Sequence, residues 1–344
     1  MPENNPENRA HPDRPARKAM REAMLGALVA DAVAMPVHWY YDTSALDRDY
    51  PDLESYQAPR NPHPDSILWR SKYVPRNQEA DILHDQARFW GQRGIHYHQF
   101  LPAGGNTLNF LLGTELYRLV VETGAYHPRA WLERYVACMR APGWHRDTYV
   151  EEYHRAFFDN RARGCRLDRC GIRDIHIGGL TAVPFLLAAL HAIGDQRCDE
   201  IVSRVQAHLA LTHLGQPVAL AGGVFARLLH DIVNGVSVRN AIVEHAGEFT
   251  DAAQLKACSA NADRTVVGRY WTSACYLPDS FKASLFLAWK YHDDFSAGVI
   301  ANARCGGDNA HRGAVVGALL AAANGLPQHW IANLRAVQQL PSLP

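Results

Sequence analysis

Apolar residues recur at spacings of three and four along most of the chain, the period of an amphipathic helix. The first such segment, Ala16–Ala34, places Met20, Met24 and Leu28 on one stripe. Strand-like alternation is rare, and residues 95–100 are its best candidate. The pattern therefore predicts an all-α fold with a compact core. Further helices are predicted at 107–122, 128–140, 148–164, 179–193, 198–211, 217–233, 237–247, 281–292, 294–303, 312–324 and 327–338.

Helix ends are marked by small and capping residues. Thr148 and Glu151 have the spacing of a capping box, which predicts a helix start there. Glycines just beyond a periodic segment favour a helix stop, because glycine adopts the left-handed conformation easily. Such stops are predicted at Gly164, Gly194, Gly235 and Gly325.

Two segments lack helical periodicity. Residues 1–15 are polar and rich in proline, which predicts a disordered N-terminal tail. Residues 36–104 contain seven of the nineteen prolines, and an irregular segment of that length is often functional. Since no linker interrupts the remainder, residues 16–344 are predicted to form a single domain.

Charge and composition narrow the class of protein. The 35 basic and 35 acidic residues balance, which argues against a broad basic face for nucleic acid or anionic membranes. We find neither a signal peptide nor an apolar run long enough to span a membrane. The seven cysteines form no Cys-x-x-Cys pair, which disfavours a zinc ribbon or a disulfide framework. We therefore expect a cytoplasmic protein.

Four polar islands interrupt the apolar pattern. In the first, Asp31 lies on an apolar helix and His38 lies just beyond it. Asp31 could contribute to a site, or could accept hydrogen bonds from backbone amides or an arginine. In the second, His96 and His98 would share a face of an extended segment. Two histidines without a third ligand are a weak metal signal.

The second island continues into Gly104-Gly105-Asn106-Thr107. Its glycines allow close approach of a ligand, and the following helix begins with free N–H groups. An ordinary turn with Asn106 or Thr107 as the N-cap explains it equally well. The third island, Thr212-His213, ends a helix, and His176 precedes another glycine pair; for both histidines a structural role is favoured.

The fourth island, residues 306–312, places two glycines and four polar side chains before a helix of small residues. Small faces allow close packing, so this helix is predicted to be central. A polar cluster at its N-terminus is costly to bury without a purpose. We therefore interpret the island as a functional site formed by Gly306, Gly307, Asp308, Asn309, His311 and Arg312.

Taken together, the islands resemble the ADP-ribosylglycohydrolase family over about residues 20–330. The family's early Gly-Asp-Ala-x-x-x-Pro pattern is similar to residues 30–36, and its Leu-Thr-His segment is similar to residues 211–213. Its closing Gly-Gly-Asp-Thr-Asp-Thr resembles residues 306–311. The resemblance implies an all-α fold and a small-molecule ligand of ADP-ribose or nucleotide type.

Several residues of this sequence differ from the family's metal-binding motifs. The resemblance implies two Mg²⁺ ions held by Thr-Asp-Asp-Thr and Asp-Thr-Asp-Thr segments, whereas here residues 104–107 have lost both carboxylates of the first. In the second only Asp308 remains, because Ala310 and His311 replace the later Asp and Thr. Mg²⁺ requires hard oxygen ligands, so we expect no binuclear site, with Asp308 as the ligand if a metal binds. The pattern is nearer to the crystallin J-like branch.

Three functions remain open. The first is hydrolysis of an N-glycosidic ribose bond, with Asp308 and His311 as catalytic residues. Its substrate-binding residues would be Asp31, His38, His98, Asn106, Thr107, Gly306, Gly307, Asn309 and Arg312, while Trp39, Tyr40 and Tyr41 could stack on a base. The second is a non-catalytic protein that binds a nucleotide or sugar. The third is a mononuclear transition-metal enzyme using His98, Asp308 and His311.

Overall fold

The computed structural model describes residues 15–195 and 198–340, and within them it contains helices and turns but no β-strand. The all-α prediction is confirmed. The tail predicted for residues 1–15 lies, except for Pro15, outside the described residues. The helices are α1 Ala16–Ala34, α2 Thr43–Asp49, α3 Leu108–Thr123, α4 Pro128–Arg140, α5 Glu152–Ala162, α6 Ala182–Ala192, α7 Cys198–Leu209, α8 Gln216–Val233, α9 Val238–His245, α10 Ala252–Ser259, α11 Asp263–Thr265, α12 Asp279–Lys290, α13 Phe295–Arg304, α14 Asn309–Asn324 and α15 Gln328–Ala332.

Short 3₁₀ and π segments join these helices, at Met35–Val37, Leu68–Arg70, Gln78–Ala80, His84–Phe89, Leu167–Arg169, Ile177–Thr181, Val266–Tyr270 and Arg335–Gln339. Residues 36–104 are largely irregular, as predicted, apart from α2 and four of these turns. The four predicted glycine stops are confirmed, since each follows a helix end with a positive φ. The helix predicted at 327–338 is instead α15 followed by a 3₁₀ turn.

The centre of the molecule is the pair α1 and α14. Every described residue of α14 except its last is buried, and so is α1 from Ala23 onward. The two helices approach closely because Gly26 and Gly317 face each other, and a methyl group on either would overlap the other's carbonyl oxygen. Helices α6, α8, α12 and α13 surround this pair. The predicted central position of α14 is confirmed.

The strand predicted at residues 95–100 is wrong. The segment is a series of turns, in which the backbone N–H of His96 donates to Asn61 Oδ1 and that of His98 donates to His96 Nδ1. Side chains thus take the donors that a neighbouring strand would need. His96 and His98 fold inward, where they contact the carbonyl of Pro36 and the ring of His38 just beyond the end of α1.

The capping box predicted at Thr148 and Glu151 is also wrong. Helix α5 begins at Glu152, and the Thr148 N–H donates to the carbonyl of Tyr97. The Glu151 side chain points into the interior, where it accepts a hydrogen bond from Asn109. Tertiary contacts therefore occupy both groups that the local motif would have used.

None of the described helices is long and apolar enough to cross a membrane.

Candidate functional site

The N-terminus of α14 is held by a glycine loop. Gly306 and Gly307 have φ values of 63° and 62°, a region in which side chains with a Cβ are strained. A methyl group at Gly306 would overlap the carbonyl oxygen of Tyr40, and one at Gly307 that of Ser273. The loop is pinned on both sides, because the N–H of Gly307 donates to Tyr40 and the N–H of Asp308 to Ser273. It presents Asp308 to the interior.

Asp308 is the centre of a buried polar cluster. Its Oδ1 lies 2.7 Å from His311 Nδ1 and 2.9 Å from His38 Nε2. His176 Nε2 lies 3.7 Å from Oδ2. Only 1% of Asp308 is exposed, and Oδ2 makes no hydrogen bond. A buried carboxylate oxygen without a partner is unusual, which makes this atom the natural contact point for a ligand.

A chain of side chains extends from Asp308 in one direction. His38 Nδ1 lies 2.8 Å from His98 Nε2, and His98 Nδ1 contacts Asp147. All are buried. The chain therefore places two imidazole rings between two carboxylates, and each ring nitrogen in it has a hydrogen-bond partner.

On the other side, His311 connects Asp308 to Glu151. His311 Nε2 lies 3.3 Å from Glu151 Oε1 and 2.8 Å from Asn109 Nδ2. The amide oxygen of Asn109 accepts hydrogen bonds from Tyr153 and His154. These contacts fix the ring of His311 between two carboxylates.

Burial and charge set the ionisation states. Burial lowers the pKa of His38 and of His98 to about 3, so both rings are neutral. Burial alone would also lower the pKa of His311, but the charges and hydrogen bonds of Asp308 and Glu151 outweigh it and raise the pKa to about 10. Burial opposes ionisation of Asp308, yet His311 holds its pKa well below the ordinary value. Asp308 and His311 thus form an ion pair.

Two half-exposed tyrosines adjoin residues that contact this cluster. Tyr41 is 49% exposed and follows Tyr40, whose carbonyl accepts the N–H of Gly307. Burial raises the pKa of Tyr41, and the negative charge of Asp308 raises it further. Tyr276 is 55% exposed and follows Cys275, which lies with His176 within ligand distance of Asp308.

Comparison with known proteins identifies the family of the chain. A family model described as ADP-ribosylglycohydrolase matches residues 12–344. The chain belongs to the ADP-ribosylglycohydrolase family. One solved structure that it matches, described as "ADP-ribosylglycohydrolase-related protein complex", is 19% identical with a TM-score of 0.57, over 94% of this chain and 95% of that one. At that identity the likeness shows the fold alone. A search of curated proteins gave no significant match.

In this member of the ADP-ribosylglycohydrolase family, four of the predicted site residues come together at one point. Asp308, His311, His38 and His98 form one continuous hydrogen-bonded cluster. The partner of His98 in the sequence, His96, does not join it: His96 Nε2 bonds the carbonyl of Pro36 instead. The extended pairing of the two histidines is therefore wrong, because the segment turns.

Asp31, Asn106 and Thr107 form a separate group. The Asp31 carboxylate accepts hydrogen bonds from Asn106 Nδ2, the Thr107 N–H and the Thr107 hydroxyl, each 2.8 Å long. Burial raises the pKa of Asp31 to about 7 against these bonds. The group joins α1 to the start of α3. Asp31 therefore has the contacts of a residue with a structural role, which is one of the two roles that the sequence left open.

Asn309 and Arg312 contact backbone around the glycine loop. Asn309 Nδ2 donates to the carbonyls of Val37 and Ala303. Arg312 is fully buried and donates to Asn302 and to the carbonyl of Gly306. Both side chains therefore hold the loop that presents Asp308.

The sequence reasoning missed Asn109, Asp147 and Glu151, and it favoured a structural role for His176. Asn109 is a polar residue on the buried face of α3. A polar residue at an apolar position of a helix could have been recognised in the sequence. Asp147 and Glu151 lie in a polar loop whose sequence has no such signal. Only the fold brings them to His98 and His311. Of the aromatics predicted to stack, Trp39 and Tyr40 are buried, and Tyr41 is exposed.

Proposed function

We propose that this family member hydrolyses an N-glycosidic ribose bond in an ADP-ribosyl or nucleoside-like substrate. The observation that carries the proposal is the unpartnered Oδ2 of Asp308, in a buried ion pair with His311 at the family's closing motif. Ionisable groups with strongly shifted pKa values that converge in this way are typical of catalytic sites.

The chemistry requires an activated water and stabilisation of an oxocarbenium-like transition state. Asp308 Oδ2 is free to accept a proton from water or to bind a ribose hydroxyl. His311 is the complementary acid, since it holds a proton between Asp308 and Glu151. A positioned acid and base of this kind contribute about a hundredfold or more to rate.

The remaining predicted residues would support the substrate. Gly306 and Gly307 pack against the backbone of Tyr40 and Ser273, and Asn309 and Arg312 hold that loop in place, so these four residues would serve the substrate by positioning Asp308. Asn106 and Thr107 are bound to Asp31 in a group separate from Asp308, and we assign them no contact with the substrate. The aromatic ring of Tyr41 offers a surface on which a base could stack.

The donors at the site do not suit the two Mg²⁺ ions that the family implies. Mg²⁺ requires about six oxygen ligands in octahedral geometry. Here Asp308 is surrounded by imidazole nitrogens, and Asn106 and Thr107 donate to Asp31. No step of the proposed reaction is therefore assigned to magnesium.

A second candidate is a non-catalytic protein of the same fold that binds a nucleotide or sugar, which the loss of the family's metal-binding carboxylates supports. The near-complete burial of Asp308, at 1% exposure, favours it. A substrate must reach Oδ2 in the interior, whereas a ligand bound at the surface near Tyr41 need not reach it at all.

Asp308→Asn separates the two candidates. Wild-type protein is assayed for release of ADP-ribose from ADP-ribosyl conjugates and of ribose from nucleosides, and ADP-ribose binding is measured by calorimetry. We expect turnover to fall about a hundredfold or more in this variant. Asp47→Asn, which removes an exposed carboxylate paired with Arg264, is the matched control and should keep wild-type turnover. Binding of ADP-ribose without turnover in wild type would favour the second candidate. The absence of both binding and turnover in wild type would refute the proposed substrate class.

A further inference from the structure

Next to Asp308, a hydrogen-bond donor and a hydrogen-bond acceptor face each other without bonding. His176 Nε2 lies 3.7 Å from Asp308 Oδ2, which is too far for a direct hydrogen bond. Oδ2 has no hydrogen-bond partner among the described residues. We propose that these two atoms bind one hydroxyl group, which accepts a hydrogen bond from His176 Nε2 and donates one to Asp308 Oδ2. One oxygen atom can reach both, because their separation is less than twice an ordinary hydrogen-bond length of about 2.8 Å.

The backbone determines which nitrogen of His176 carries the proton. The N–H of Gly178 donates to His176 Nδ1 at 2.9 Å. A backbone amide can only donate, so Nδ1 carries no proton. Burial lowers the pKa of His176, so the ring is neutral and keeps one proton. That proton is on Nε2, the atom that faces Asp308, and His176 is therefore a donor towards the site.

Both side chains are held in position by their own elements. The backbone around His176 pairs with the backbone around Tyr276 in an antiparallel bridge. The N–H of His176 donates to Asp174 Oδ1, and its ring caps the 3₁₀ turn Ile177–Thr181 through Gly178. Asp308 is held by the glycine loop described above. A donor and an acceptor fixed in advance bind a ligand with less loss of conformational freedom.

The charges of the two groups select the class of ligand. Burial opposes ionisation of Asp308, but His311 holds its pKa well below the ordinary value, so Asp308 is a carboxylate and repels anionic oxygens. The Nε2–H of His176 points to the same place and opposes a cation. The thiol of Cys275 lies within 4.8 Å of both groups, and burial raises its pKa, so it adds no charge. A hydroxyl group, which both donates and accepts, fits this pair.

The side of Asp308 that His176 occupies is less enclosed than the other side. The side chain of His176 is 11% exposed, whereas those of His38 and His311 are 1% exposed. Cys275 is also partly exposed. The hydroxyl is either a water molecule, which the pair would orient for attack, or a hydroxyl of the sugar, which the pair would hold in place. Either role in catalysis rests on the proposed function, whereas the binding of a hydroxyl does not.

Crystal structures of the full-length protein, without ligand and soaked with ADP-ribose, test the binding of a hydroxyl. We expect an oxygen atom within about 3.2 Å of both His176 Nε2 and Asp308 Oδ2. A water molecule that stays there beside bound ADP-ribose identifies water as the ligand, and a sugar hydroxyl at the same point identifies the substrate. The proposal is overturned if neither crystal has an oxygen bonded to both atoms, or if a metal ion is bonded to Oδ2 instead.

Two substitutions separate the donor from the cap. In His176→Asn the amide oxygen replaces Nδ1 and can still accept the N–H of Gly178, but no donor reaches Oδ2. In His176→Gln the longer side chain brings an amide N–H to the position of Nε2. We expect the bridging oxygen to be lost in the first variant and kept in the second. Circular dichroism establishes that both are folded, and equal occupancy in both would contradict the proposal.

Turnover of ADP-ribosyl conjugates by the same variants measures the catalytic role. We expect His176→Asn to be about tenfold less active than His176→Gln, because it lacks one hydrogen bond to the hydroxyl. A lower kcat at unchanged KM agrees with bound water, and a higher KM agrees with a sugar hydroxyl. A bridging oxygen in wild type without any turnover would refute the proposed function alone. Turnover in wild type that His176→Asn leaves unchanged would refute the catalytic role of His176 alone.

Discussion

At the scale of single residues, Asp31 shows how neighbours decide the role of a buried carboxylate. Its three hydrogen bonds come from Asn106 and Thr107, about 75 positions further along the chain. From the sequence, Asp31 could equally contribute to a site or to structure, because nothing local identifies its partners. In the fold it ties α1 to the beginning of α3. The loss of a buried hydrogen-bond acceptor with three donors is costly.

Asp31→Ala is therefore expected to lower the free energy of unfolding by about 3 kcal/mol, because it leaves the three donors in the interior without an acceptor. Urea unfolding followed by circular dichroism measures the change. Thr123→Ala removes a hydroxyl that bonds only nearby backbone at the end of α3, and it should change the free energy by less than about 1 kcal/mol. Equal stability of Asp31→Ala and wild type would show that the carboxylate does not hold the two helices.

At the scale of elements, α1 and α14 illustrate what a helical pattern does and does not specify. The small residues of α14 predicted a close helix contact, and α1 supplies its matching surface at Gly26 and Ala30. Local signals were less reliable where a side chain had a distant partner. The capping box at Thr148 failed because Glu151 contacts Asn109 instead, which no window of neighbouring residues can reveal.

Gly317→Ala tests this contact. The added methyl would overlap the backbone oxygen of Gly26 and lie 2.7 Å from Ala30 Cβ, so the two helices must separate. We expect a loss of about 3 kcal/mol in the free energy of unfolding, measured in urea. The matched control is Gly223→Ala in α8, whose new methyl comes closest to the movable side chain of Gln206 and lies in ordinary contact with Val202. There the gain in helix propensity should leave stability unchanged or raise it by up to about 1 kcal/mol. Equal effects at both sites would contradict the packing argument.

At the scale of the whole molecule, many polar side chains lie in the interior, although the basic and acidic residues balance. The net charge of zero says nothing about where the histidines lie, yet many are buried and neutral. Burial, the largest cause in each case, lowers their pKa values to about 3 or 4. Among the described residues this applies to His38, His63, His98, His154, His191 and His208.

These histidines make stability depend on pH. In the unfolded chain each has a pKa of about 6.5, so below that pH the unfolded state binds more protons than the folded state. Their stabilising contribution is fully present above about pH 6.5 and is lost as the pH falls towards 4. Each group contributes a slope of about 1.4 kcal/mol per pH unit in that window. Acid unfolding should therefore be steep.

His208→Gln tests this in one residue, because His208 is buried and its pKa is lowered to about 4. Its Nδ1 lies 2.8 Å from the Tyr126 hydroxyl, and the amide of a glutamine can replace that hydrogen bond in either direction. Urea unfolding at several values between about pH 4.5 and 6 should give a slope smaller than that of wild type by about 1.4 kcal/mol per pH unit. Parallel curves for variant and wild type would show that His208 is not held neutral in the fold.

The all-α class, most helix positions and the glycine stops could be predicted from the amino-acid pattern, because periodicity and glycine conformation are local properties. It also located the loop before α14, where polar residues stand beside two glycines. Tertiary structure alone decided which side chains meet there. Asp308 is joined to His38 across 270 positions, and Glu151 and Asp147 complete the cluster from a loop without a local signal. Hydrogen bonds and metal ligands depend on distances in space, and the order of residues along the chain does not contain those distances.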